Sequence, residues 1–228
     1  MNIRIAATLL SLFAFSATAS DISTQQTTLG QVYTNNQGMT LYYFDNDKPD
    51  QSVCYDDCAK LWPPLLVNDE TSSLPGLNKI QRKDGKMQWA MNHQPLYLWS
   101  KDKKPGDITG AGVKNIWSIS RADSIPVNVY STNNGKVLTN KAKMSLYTFT
   151  KDSDGLSSCN GDCAIKWPPL AAQQGDVASA PFSVVSRQDG TYQWAYQGKP
   201  LYTWINDKKP GDITGDKVAN AWNLVVLP

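Results

Sequence analysis

The sequence predicts a mainly β fold made of antiparallel hairpin repeats. It divides into two tandem homologous halves, four modules in all, with only very short helical turns. Three observations carry this. A shift of 105 residues lays the second half on the first without a gap. A shift of 55 residues repeats a shorter pattern inside each half. No stretch keeps an apolar helical period long enough for a regular helix, whereas Trp and Tyr, 8 and 10 of them, suit a pleated surface.

Residues 1–19 read as a secretory signal peptide. Arg4 precedes an apolar run over 5–15, and Ala17-Thr18-Ala19 supplies the small residues of a cleavage site after Ala19. The run is too short to span about 30 Å of hydrocarbon. No later segment is apolar enough to span a membrane, so the mature chain is expected in the periplasm or outside the cell. Net charge is +2, and the lysines recur in short "KDKKPGD" turns, so no nucleic-acid surface is expected.

Two repeat units follow, 20–123 and 124–228, joined near "RADSIPVNVY". Under the longer shift Gly30 falls on Gly135, Leu41-Tyr42 on Leu146-Tyr147, and Cys54 and Cys58 on Cys159 and Cys163. Trp62-Pro63-Pro64-Leu65 falls on Trp167-Pro168-Pro169-Leu170, and Gln88-Trp89-Ala90 on Gln193-Trp194-Ala195. Under the shorter shift "LYYFDND" meets "LYLWSKD", and "LYTFTKD" meets "LYTWIND". Every module thus contains Leu-Tyr-x-[Phe/Trp]-x-x-Asp, followed by a Trp fifteen positions after the Asp.

Within a module the Tyr and the next aromatic share one strand face, because side chains alternate. The Asp ends the strand, since Asp disfavours strands and favours turns. Turns precede the motif at "NNQG", "MNHQ" and "YQGK", and extended pieces such as "MQWAM" and "YQWAY" precede the last two, a hairpin signature. "KPGDITG" reads as a Pro-Gly turn. "DDCAKLW" and "GDCAIKW" read as one or two helical turns starting near Asp56 or Gly161 and stopped by Pro63 or Pro168. Each module is expected to contribute a hairpin and a short strand after its Trp. A module of about 50 residues is too small to bury its aromatic face alone. Two or four must therefore combine, and the short polar join favours two contacting domains.

The repeated Tyr-x-[Phe/Trp]-x-x-Asp, with "CxxxCAxxWPPL" in alternate modules, resembles the bacterial secreted-repeat family of unknown function, described as predicted lipoproteins with a Yx(FWY)xxD motif. The matching residues are Tyr42/Phe44/Asp47, Tyr97/Trp99/Asp102, Tyr147/Phe149/Asp152 and Tyr202/Trp204/Asp207. The resemblance covers nearly all of the mature chain. It implies an envelope or secreted bacterial protein with no established activity, and it brings no catalytic residues. The sequence departs from the lipoprotein pattern in having no cysteine beside the cleavage site.

All four cysteines lie in the alternate modules. An even number in an exported chain reads as disulfides. Residues four apart in a helical turn have Cα atoms about 6 Å apart, within disulfide range. The expected pairs are Cys54 with Cys58 and Cys159 with Cys163, since each copy folds with its own. The alternatives are a redox dithiol, which the neighbouring Asp56 and Asp57 disfavour by raising a thiol pKa, and a copper(I) clip drawing on Met39 or Met144. His93, the single histidine, has Gly198 as its counterpart and reads as a solvated turn residue. The aspartates of "DNDKPD" and "KDSDG" fit no EF-hand spacing and read as turn caps. Trp62, Trp117, Trp167 and Trp222 occupy the repeat position and read as core. No nucleotide, hydrolase or metal motif is present, and neither a catalytic residue, a metal site nor a cofactor is expected. The reading is an exported, non-enzymatic binding or envelope module for an unidentified protein or small ligand. Its alternative is thiol redox or copper(I) binding at the two Cys-x-x-x-Cys pairs.

Overall fold

The structure is a computed structural model that describes residues 22–67 and 73–228. The signal segment expected at 1–19 lies outside the described residues. Each half opens with a hairpin: Ile22–Thr27 against Gly30–Asn35, and Val127–Thr132 against Gly135–Asn140. Asn35 then turns the chain back, its Oδ1 accepting the Gln37 and Met39 N–H groups, and Asn140 does the same for Met144. A short polar side chain that bonds its own backbone is what makes Asn a turn residue.

A second sheet follows in each half. In the first it runs Leu77–Gln81, Met87–Met91 and Gln94–Pro95. In the second it runs Phe182–Ser186, Tyr192–Tyr196 and Lys199–Pro200, with Ala171–Ala172 added at the edge. Two-residue turns link the last pairs. Asn92 and His93 have φ of 50° and 66°, and Gln197 and Gly198 have 50° and 77°. Two positive φ values in succession are the geometry that matches strand twist in a tight hairpin. His93 is therefore a turn residue, and its counterpart Gly198 needs no strain to take the same place.

The motif strands, Tyr42–Phe44 and Tyr147–Phe149, each begin with a buried Tyr and continue with two half-buried residues. Leu41 and Leu96 point to one side, into a cluster with Ile22, Leu65, Trp89 and Met91. Tyr42 and Tyr97 point to the other, into the main core. The structure shows how the modules combine, which the sequence reading left open. The strand after a module's Trp does not stay with that module. Trp117–Ile119 pairs antiparallel with Tyr42–Phe44, and Trp222–Leu224 with Tyr147–Phe149. In return Leu98 N–H donates to Pro63 C=O at 2.8 Å and Ser100 N–H to Leu61 C=O at 3.0 Å. The reciprocal pairing is thinner because Pro63 and Pro64 have no N–H to give. A module too small to close its own core closes it by exchange.

The exchange has a pseudo-twofold axis. Tyr42 and Tyr97 trade backbone bonds of 2.9 and 3.0 Å, and Tyr147 and Tyr202 trade bonds of 2.8 and 2.9 Å. The helical turns are Asp56–Leu61 and Asp162–Lys166, and both stop at the Trp-Pro-Pro step. The two halves also touch. Leu29 and Val32 share a hydrophobic cluster with Ile125, Val127, Leu138, Phe182 and Tyr196. Lys143 Nζ pairs with Asp45 at 2.6 Å and donates to Asn115 C=O at 2.8 Å. Asn115 exchanges two hydrogen bonds with the Ser131 backbone.

Candidate functional site

The repeated aromatic residues assemble into one column per half. In the first half the order is Phe44, Trp117, Trp62, Trp99, with ring centroids 4.4, 3.7 and 4.0 Å apart. In the second it is Phe149, Trp222, Trp167, Trp204, at 4.3, 3.7 and 4.0 Å. Two modules alternate in the column, so neither could build it alone. Tyr42 meets Trp62 edge-on at 5.4 Å and Tyr97 meets Trp117 at 5.3 Å. Tyr147 and Tyr202 repeat the arrangement on Trp167 and Trp222 at 5.5 and 5.1 Å. Trp89 and Trp194 stand outside the columns as buried centres of the second sheets.

The motif aspartates do more than end strands. Each accepts a phenolic proton from the partner module. Tyr42 donates to Asp102 at 2.6 Å and Tyr97 to Asp47 at 2.6 Å. Tyr147 donates to Asp207 at 2.7 Å and Tyr202 to Asp152 at 2.8 Å. The other carboxylate oxygen is held locally. Asp102 accepts from Thr109 N–H and Oγ1, and Asp207 from Thr214 in the same way. Asp47 accepts from Val53 N–H, and Asp152 from Ser158 N–H and Oγ. Burial pushes the Asp47 and Asp102 carboxyls above the ordinary value, against the pull of these donors. Burial, reinforced by the facing carboxylate, raises all four phenols.

The "ITG" end of the Pro-Gly turn closes over the Tyr42–Asp102 pair. A Cβ on Gly110 would lie 2.8 Å from Tyr42 and 2.9 Å from Trp62, and one on Gly215 would meet Tyr147 and Trp167 as closely. Only glycine lets the backbone lie on those rings.

The second phenol of each half is backed by groups that the sequence reading missed. Arg82 is buried, and its guanidinium donates to Ser52 Oγ, Gln88 Oε1 and Cys54 C=O at 2.9, 2.6 and 2.9 Å. Arg187 repeats this with Ser157, Gln193 and Cys159. Ser52 Oγ lies 2.8 Å from the Tyr97 hydroxyl, and Ser157 Oγ 2.7 Å from that of Tyr202. The available signal was Arg-x-Asp-Gly at the same register in both halves, a cation kept inside an otherwise variable turn.

The cysteines join Cys54 to Cys58 and Cys159 to Cys163, with Cα atoms 5.2 Å apart in both. Cys58 C=O then accepts Trp62 N–H at 2.8 Å, and Cys163 does so for Trp167. The bridged turn therefore delivers the central Trp to its column. His93 Nδ1 pairs with Asp50 at 2.7 Å on the surface, 68% exposed. Among the described residues no group of three His, Cys, Asp or Glu gathers to hold a metal ion.

Fold and site together define an all-β tandem-repeat protein whose signature residues face inward and bond to one another. The chain belongs to the family described as a secreted repeat of unknown function, which matches it four times, over 23–66, 79–119, 128–171 and 183–226. One match falls on each module. Comparison with curated proteins and with solved structures gives no match. Among the described residues no helix is long and apolar enough to cross a membrane.

Proposed function

We propose that the protein is a non-enzymatic binding module of the periplasm or extracellular space, and that its ligand surface is the cleft where the two halves meet. One observation carries this. The polar groups of the repeat signature are consumed in internal bonds, while a cleft of about 390 Å³ between the halves is lined by polar groups outside the signature. Asn92, Gln94, Asn128 and Lys141 line it beside Tyr43 and Arg121. Amide groups beside an aromatic face suit a small polar, hydroxyl-rich ligand, and clefts between packed units are the usual place for one. The units 20–123 and 124–228 would be the two walls.

Nuclear magnetic resonance titration of the isotope-labelled protein with soluble saccharides and polyols tests the reading. Shifts are expected at Asn92, Asn128 and Tyr43, and are lost in Asn128→Ala. Turnover of an ester, glycan or peptide that a single substitution abolishes would overturn the non-enzymatic reading. Thiol or copper(I) chemistry would require the two Cys-x-x-x-Cys bridges to open. Mass spectrometry of native protein with and without alkylation distinguishes it, since free thiols or bound copper would support it.

A further inference from the structure

We propose that each aromatic column is a radical relay. A one-electron oxidant, such as an oxygen-centred radical, draws an electron from the stack. The resulting hole passes to a buried tyrosine as its phenolic proton crosses to the facing aspartate.

The central rings of each column stack face to face. Aromatic pairs prefer offset or edge-to-face contact, with centroids about 4.5–7 Å apart, over a full sandwich. Trp62 and Trp117 lie 3.7 Å apart with planes 3° off parallel, and Trp167 and Trp222 lie 3.7 Å apart at 6°. At that separation and angle the two indole faces are in direct van der Waals contact. Both halves keep this parallel stacking along four rings, and it brings the π systems of successive rings into contact.

The column also has an outer end and a sink. Trp204 is partly exposed, whereas Trp99, at 9%, belongs to the buried core; Phe44 and Phe149 at the opposite ends are partly exposed too, but a phenyl ring is harder to oxidise than an indole. Tyr42, Tyr97, Tyr147 and Tyr202 are fully buried against the central rings. Each already points its proton at a carboxylate 2.6–2.8 Å away. The step balances. The oxidant gains one electron and leaves a tryptophan radical cation. The tyrosine returns an electron to that tryptophan and a proton to its aspartate, leaving a neutral tyrosyl radical and a protonated carboxyl. A small one-electron reductant, a thiol or an enediol, then supplies the electron, and the proton returns from the aspartate. Burial of Asp102 and Asp47, which raises their proton affinity, favours the acceptor state.

The two halves differ at the outer ring. Lys101 Nζ sits 5.6 Å from the Trp99 ring centroid, and a cation there disfavours a hole on that ring. Its counterpart in the second half is Asn206, so Trp204 is the easier ring to oxidise.

Flash-quench experiments with photogenerated tris(bipyridine)ruthenium(III) test the proposal by transient absorption and electron paramagnetic resonance. In the full mature chain a tryptophan radical is expected first, converting to a tyrosyl radical. Replacing all four buried phenols (Tyr42→Phe, Tyr97→Phe, Tyr147→Phe, Tyr202→Phe) should lengthen the tryptophan radical lifetime roughly tenfold, equal to about 1.4 kcal/mol of barrier. Asp→Asn at 47, 102, 152 and 207, which keeps an acceptor oxygen but takes no proton, should do the same. Trp204→Phe should lower the radical yield more than Trp99→Phe. If the fourfold phenol variant does not fold, Tyr42→Phe/Tyr97→Phe should show a slow tryptophan decay beside the fast one. An unchanged tryptophan lifetime in these variants, or a tyrosyl signal that survives the fourfold variant undiminished, overturns the relay. A purely structural column would change stability without moving that lifetime.

Discussion

The two halves agree inside and differ outside. Their columns match ring for ring to within 0.1 Å, and both bridges hold Cα atoms at the same 5.2 Å. Yet Val53 stands where Ser158 does, the surface pair His93–Asp50 falls on Gly198 and Gly155 beside a different pair, Lys199–Asp154, and Asp56 occupies the place of Gly161. The interior is what the duplication preserved, so the repeated residues answer for folding and any difference in task between the halves belongs to the rims. The strongest attempt to break this comparison is to remove a central ring. Trp62→Ala and Trp167→Ala should each cost about 3–5 kcal/mol, the range for a buried large aromatic. Denaturant unfolding should give nearly equal losses. A clearly smaller loss at one position would show that its half does not depend on its column.

The next largest effect comes from the phenols. Tyr42→Phe leaves one oxygen of Asp102 without its phenolic donor, and Tyr147→Phe does the same to Asp207. Loss of a partner to a buried polar group costs about 1–3 kcal/mol, and the two should agree. The first also has a pH signature. The folded Asp102 carboxyl is raised above the ordinary 3.8. Its contribution is therefore fully present below 3.8 and is lost as pH rises through the higher folded value. The part of native stability that Asp102 contributes should accordingly increase as pH falls through that window, and carbon resonance titration of this carboxyl in the native protein should give a midpoint above 3.8.

These phenols mark where the sequence stopped being legible. The alternation along the strand put Tyr42 and Phe44 on one face, and the repeated Trp revealed the core. The partner of Tyr42 was not readable, because Asp47 and Asp102 stand at the same place in their modules and only the strand exchange selects Asp102. Arg82 was hidden for another reason. A cation between a Gln and a Lys looks solvated, and nothing local announces that Ser52, Gln88 and the Cys54 carbonyl converge on it.

Smaller effects sharpen the contrast at the rims. Ser158 Oγ adds a 2.9 Å bond to Asp152 that Val53 cannot give to Asp47. Ser158→Val should therefore destabilise by about 0.5–1.5 kcal/mol, while Val53→Ser should recover part of that in the first half. Thermal unfolding of both variants decides. At the turn tips, hydrogen bonds from His93 and then Asn78 hold the Asp50 carboxyl below the ordinary value. A depressed folded value adds stability above the unfolded one, which is lost as pH falls through the folded one. His93→Gly, which copies the second half, should move the Asp50 midpoint upward in a resonance titration. An unmoved midpoint would mean that Asn78 alone holds it.

The smallest expected effect is also the most symmetric test. Asp56 and Gly161 begin equivalent helical turns with φ of 51° and 55°. A side chain at such a φ costs about 1–2 kcal/mol, less for Asp, which tolerates the left-handed region better than most residues. Glycine avoids that strain but loses about 0.5–1 kcal/mol more conformational freedom on folding. The two terms nearly cancel, so Asp56→Gly should stabilise by less than about 1 kcal/mol. Gly161→Asp should cost a similar amount through the backbone alone, because a Cβ there meets nothing within 4 Å. Lys60 is not involved, since it pairs with Asp57. Matched melting curves of the two single variants and the double swap give the sign. If Asp56→Gly lowers stability instead, the Asp56 carboxylate must be favouring the start of its helical turn electrostatically, and the first half would hold an interaction that the second lacks.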